Sequence, residues 1–117
     1  MQVKDLENFG FNLSEAMELC INDEEIYREV LETFLEEGRE KIPFIKELMD
    51  NKDYERYIIE AHGLKNAARQ IGADELSEIG KASEFAGKAG EIDKLIEYHE
   101  GLINAYQDTL DIIAKLF

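Results

Sequence analysis

Apolar residues recur at helical spacing along nearly the whole chain, and no long stretch shows the alternation of a half-buried strand. Leu13, Ala16, Met17 and Cys20 lie at i, i+3, i+4 and i+7 behind Asn12 and Glu15, which together resemble a capping box. They predict a short helix over about 13–20. Asp23 can cap a second helix, where Glu24 and Glu25 suit the positive end of the helix dipole. Its apolar face, Ile26, Val30, Phe34, Ile45, Leu48 and Met49, runs to about Asp50. Gly38 and Pro43 fall inside this stretch, and Pro43 is expected to kink or split the helix. Asp53 opens a third helix, about Tyr54 to Ile71, and Gly72 offers a left-handed stop. Asp74 is the expected cap of a fourth helix through Leu76, Ile79, Ala82, Phe85 and Ala86, ending near Gly87–Gly90. The fifth begins near Ile92 with the seam Ile92, Ile96, His99, Ile103, Tyr106, Leu110, Ile113 and Phe117, in alternating steps of four and three.

Four long amphipathic helices with short connections predict an all-α fold, an antiparallel up-and-down four-helix bundle with the short N-terminal helix capping one end. The expectation is a single domain over residues 1–117. A single proline in 117 residues, with only two valines and two threonines, also favours helix over sheet.

Charge narrows the partners. Lys and Arg number 13 against 27 Asp and Glu, a formal net charge of −14. Nucleic acid and anionic membrane surfaces both require basic protein surface, so neither is an expected partner. Cys20 is the only cysteine, which excludes an internal disulfide and a cysteine-based metal site. No apolar run approaches the roughly 20 residues that span a bilayer, and residues 1–11 lack the apolar segment of a signal peptide. A reducing cytoplasm is the expected location.

Most chemistry is absent by inspection. There is no Walker loop, no G-x-G-x-x-G and no H-E-x-x-H. The positions three before His62 and His99 are both Ile, so the Glu-x-x-His of di-iron bundles is missing and no metal site is expected. The two histidines differ. With His62 at zero on a wheel of 100° per residue, Tyr57, Ala61, Leu64, Ala68 and Ile71 span an arc centred roughly 140° away. His62 is therefore expected on a polar face with Lys65, Asn66 and Arg69. His99 lies in the apolar seam of the last helix, as a packed structural histidine would. An exposed imidazole is a nucleophile near neutral pH, and Lys65 at i+3 and Arg69 at i+7 would match the negative charge of a phosphoryl group on it. Residues 61–90 carry four cations and four anions, so the whole −14 lies outside that window.

The run from Ala61 to Leu76, Ala-His-Gly-Leu-Lys-Asn-Ala-Ala-Arg-Gln-Ile-Gly-Ala-Asp-Glu-Leu, resembles the signature of histidine-containing phosphotransfer (HPt) domains. That signature is His-x-Leu-Lys, then small residues, an apolar-Gly-Ala stop and a Leu. The resemblance extends over the chain in its helical layout. It departs at Asn66 and Ala67, where the family often has Gly and Ser, and at Gly80, where a larger apolar residue is common.

The resemblance implies that His62 Nε2 takes a phosphoryl group from a receiver aspartyl phosphate and passes it to a second receiver. Lys65 would be the charge partner of the phosphoryl group, with Asn66, Arg69 and Lys88 as further contacts. Ile58, at the border of the apolar arc, would belong to the receiver-docking patch, with Ile59, Leu13 and Met17 as weaker candidates, and Gly72 would be structural. No cofactor is implied, Mg²⁺ being expected on the receiver only, and no ATP site or autokinase activity. The partners implied are response-regulator receivers and a histidine kinase, with the domain itself monomeric. Two alternatives stand beside this: a phosphorylation-incompetent HPt-like domain, suggested by Asn66 and Ala67, and an unrelated acidic helical module acting only by protein binding.

Overall fold

The computed structural model describes residues 1–117 as six helices and no strand. A 3-10 helix spans Val3–Phe9, followed by α1 (Leu13–Leu19), α2 (Glu24–Asp50), α3 (Tyr54–Gln70), α4 (Asp74–Lys88) and α5 (Ile92–Ala114). The molecule measures 40 × 22 × 20 Å, the long axis matching the 27 residues of α2 at 1.5 Å each. Each of the four long helices packs on two others: α3 and α5 each lie against both α2 and α4.

The caps act locally as the sequence implies. Asp23 Oδ1 accepts from the amides of Glu25 (2.9 Å) and Ile26 (3.3 Å), and Asp53 Oδ1 accepts from the amide of Arg56 (3.3 Å). Asp74 is a correction: it is the first residue of α4, the capping position belongs to Ala73, and no side chain caps this end. α2 is also continuous through Pro43 rather than split there, and the proline is exposed. Gly38 has a packing role instead. A Cβ there would come within 2.6 Å of Leu110 and 3.0 Å of Tyr106, so α2 and α5 cross closely at this point.

The core follows the predicted faces, with shifts. In α3 the whole predicted arc is buried: Tyr57, Ala61, Leu64, Ala68 and, at the helix end, Ile71. In α5 the predicted seam holds at Ile103, Tyr106, Leu110 and Ile113, but Ile96 and Phe117 are exposed, and Leu95, Leu102 and Leu116 are buried instead. In α4, Phe85 is exposed beneath Lys81, while Gly80, Ser83, Glu84 and Gly87 face inward. The 3-10 helix, unpredicted, buries Val3 and Leu6.

Two hydrogen bonds fix the end of α3. The buried Tyr27 hydroxyl donates to the Ile71 carbonyl (2.7 Å), supplying a partner to a helix-end carbonyl. The Asn12 amide donates to the Gly72 carbonyl (2.8 Å), joining α1 to the α3–α4 turn. Gly72 has φ +83°, and a Cβ there would collide with the Asn12 backbone, so glycine is required twice over.

Candidate functional site

The small residues of α4 let it approach α3 closely. A Cβ on Gly80 would stand 3.3 Å from the Lys65 amide nitrogen and 3.4 Å from the Ala61 carbonyl oxygen. Two turns on, Ile58 of α3 fills the notch at Gly87. Between these contacts Glu84 rises from the inward face of α4, only 1% exposed. Its carboxylate reaches the open face of α3 from below.

Three donors meet on that carboxylate. Oε2 lies 2.7 Å from His62 Nδ1 and 2.9 Å from Lys88 Nζ, and Oε1 accepts from Lys65 Nζ at 2.7 Å. Burial by itself raises the carboxyl pKa. Hydrogen bonds from Lys65, Lys88 and His62 outweigh burial and hold it down at about 2. An ionised carboxylate can only accept, so the short contact assigns the ring proton of His62 to Nδ1. Lys65 Nζ, 3.4 Å from Nδ1, is then a second donor beside the first, both drawn to the same carboxylate.

With Nδ1 committed, Nε2 carries the free lone pair. The His62 side chain is 52% exposed, and the only protein group on Nε2 is Asn66 Nδ2 at 3.2 Å. Gly63, beside His62, has open space where a side chain would begin. The arrangement suits nucleophilic attack: the ring is oriented, its proton is held, and its lone pair lies on the exposed edge, with the Asn66 carboxamide as its one protein contact. Two ammoniums and one carboxylate leave a single net positive charge under a group that would become anionic.

The predicted residues are therefore distributed unequally. His62, Lys65, Asn66 and Lys88 converge. Lys65 reaches the Nδ1 edge of the ring, and Asn66 the Nε2 edge. Arg69 turns away and faces Glu15 of α1 at 3.7 Å. Ile58 is half-buried against α4, and Ile59, one residue on, is 65% exposed on the same open face as His62. His99 is half-buried in a separate place, accepting the Tyr57 hydroxyl on Nδ1 at 2.8 Å. Burial lowers its pKa, an effect that Asp50 opposes and Lys46 reinforces. Glu84 was missed from sequence, where it counted only as one of four anions. A wheel for α4 carries the signal, since Glu84 shares a stripe with Leu76, Gly80, Ser83 and Gly87.

No group of three or more His, Cys, Asp or Glu side chains is arranged to hold a metal ion. No helix is long and apolar enough to cross a membrane. Neither the curated proteins nor the solved structures supply a match to this chain. A family model described as Hpt domain matches residues 29–112, well over half of the chain and all of the site. The chain belongs to the Hpt domain family, the helical phosphotransfer modules of two-component signalling.

Proposed function

We propose that this domain is a phosphotransfer intermediate in which His62 Nε2 accepts a phosphoryl group from a receiver aspartyl phosphate and yields it to a second receiver. One observation carries this: an exposed imidazole whose Nδ1 proton is held by a buried, ionised carboxylate, leaving Nε2 as nucleophile. In the transfer the Nε2–P bond forms as the P–O bond to the receiver aspartate breaks, and the carboxylate leaves. The ring keeps its Nδ1 proton and gains positive charge, which Glu84 faces at 2.7 Å. Lys65 and Lys88 offset Glu84, so the arriving phosphoryl charge is not repelled. This is catalysis by positioning and electrostatics.

In this proposal the receiver brings its own Mg²⁺, and the domain carries no cofactor and no ATP site. The domain acts as a cytoplasmic monomer, residues 1–117 forming one unit. The four long helices stand as an antiparallel up-and-down bundle with the short N-terminal helices over one end. Receivers, and a histidine kinase, dock on the face of His62, where Ile59 offers apolar contact.

Incubation with a phosphorylated receiver tests the assignment. Wild type should gain acid-labile label and His62→Gln should gain none. Its helicity should stay unchanged and its stability should fall by no more than about 1 kcal/mol, since one hydrogen bond to Glu84 changes while Lys65 and Lys88 stay on the carboxylate. Label on His62→Gln, or on His99, would overturn it.

A further inference from the structure

Asn66 lies one turn beyond His62 on the open face of α3. Its Nδ2 stands 3.2 Å from His62 Nε2. The other ring nitrogen is committed to Glu84, so the carboxamide N–H donates into the one lone pair the ring has free. A lone pair held in a hydrogen bond does not attack an electrophile until that bond opens. Room to open exists: Asn66 is exposed, and nothing lies within 4 Å of where a Gly63 Cβ would stand.

We propose that Asn66 is a displaceable cap on the phosphoacceptor, whose carboxamide holds the Nε2 lone pair in the resting domain and must rotate off before that nitrogen reacts. The proposal rests on His62 being the phosphoacceptor, and adds what controls access to it. The capped and uncapped states differ by one exposed hydrogen bond, so the cap slows attack roughly fivefold, about 1 kcal/mol at 1.36 kcal/mol per decade. His62 is thereby a damped nucleophile toward small electrophiles encountered in solution.

The test uses the full chain as wild type, Asn66→Ala and Asn66→Leu. Leucine keeps the bulk of asparagine without its donor. Two receiver-independent reagents are applied, and the product at His62 is read by peptide mass with His99 as internal reference. Diethyl pyrocarbonate forms an Nε2–C bond at its carbonyl, ethyl carbonate leaves and the Nδ1 proton passes to solvent. Phosphoramidate forms an Nε2–P bond as its P–N bond breaks, ammonia leaves and the ring proton stays on Nδ1. Both variants should react roughly fivefold faster than wild type at His62, with no change at His99. An alanine variant no faster than wild type, or a leucine variant as slow as wild type, would overturn the cap. Failure of the phosphoacceptor assignment reads differently. All three proteins would then refuse phosphoryl label from both phosphoramidate and a receiver, while the diethyl pyrocarbonate difference persisted.

Discussion

Glu84→Gln keeps the size of the side chain and one carbonyl acceptor, and removes the charge that Lys65, Lys88 and His62 share. Burial pushes the carboxyl up, and the three donors bring it from an ordinary 4.5 to about 2. At 1.36 kcal/mol per pKa unit, that displacement is worth about 3 kcal/mol of folding stability. The sign follows from the direction. A carboxyl depressed in the folded state contributes fully above about 4.5, and its contribution is lost as pH falls through about 2. Removing one member of a buried ion pair costs ~3–5 kcal/mol when the charge left behind cannot reach water. Here Lys88 is largely exposed and Lys65 partly so, and both can rehydrate. The expected loss at pH 7 is therefore about 2–3 kcal/mol. Urea denaturation of both proteins at pH 7, 4.5, 3 and 2 measures it. The gap should hold to about pH 4.5 and then close. A gap as wide at pH 2 as at pH 7, or none at pH 7, would refute the role given to the carboxylate. Single-turnover transfer should also slow by about tenfold, because the ring gains positive charge with only a neutral carbonyl beside Nδ1.

Lys65→Ala should slow single-turnover transfer roughly tenfold without stopping it, since Glu84 keeps Lys88 and His62. Arg69→Ala in the same assay should match wild type, because Arg69 faces Glu15 instead. Tyr27→Phe deletes a buried hydrogen bond to the Ile71 carbonyl and should cost ~1–2 kcal/mol in urea. Gly72→Ala should cost ~2 kcal/mol or more, as it combines φ +83° with a collision against Asn12; a melting temperature equal to wild type would contradict that packing.

α3 was legible because Tyr57, Ala61, Leu64, Ala68 and Ile71 form one unbroken stripe in steps of four and three. Its apolar arc is buried entire, and His62, placed outside that arc, is exposed together with Asn66 and Arg69. α5 was less legible. Its apolar residues cover about half of the helix circumference, so two stripes offset by one residue, one through Ile96 and Ile103, one through Leu95 and Leu102, satisfy the same steps of four and three. Packing against both α2 and α4 decides between them, and that information is tertiary. The 3-10 helix is too short for any period to show. Glu84 eluded charge counting because a sum over a window treats every carboxylate as solvated. Lys88 is one turn along α4, but the other two partners come from α3, 19 and 22 residues away, and only the approach allowed by Gly80 and Gly87 brings them to the carboxylate.

That approach joins stability to function. A buried carboxylate beneath a phosphoacceptor looks unfavourable, since it places negative charge where more is to arrive. Two features reverse this. Lys65 and Lys88 turn the local sum positive, within a segment that is neutral in a chain of −14. The carboxylate, ionised down to about pH 2, also keeps the ring proton on Nδ1 and leaves Nε2 for attack. An additional lysine could supply the first effect but not the second, because an ammonium cannot accept a proton's hydrogen bond. The bonds that tie α4 to α3 are the same bonds that orient the nucleophile. Substitutions that weaken them, Glu84→Gln and Lys65→Ala alike, should therefore lower unfolding free energy and transfer rate together. His62→Gln, which removes the nucleophile and leaves the two lysines on Glu84, should fall off that line.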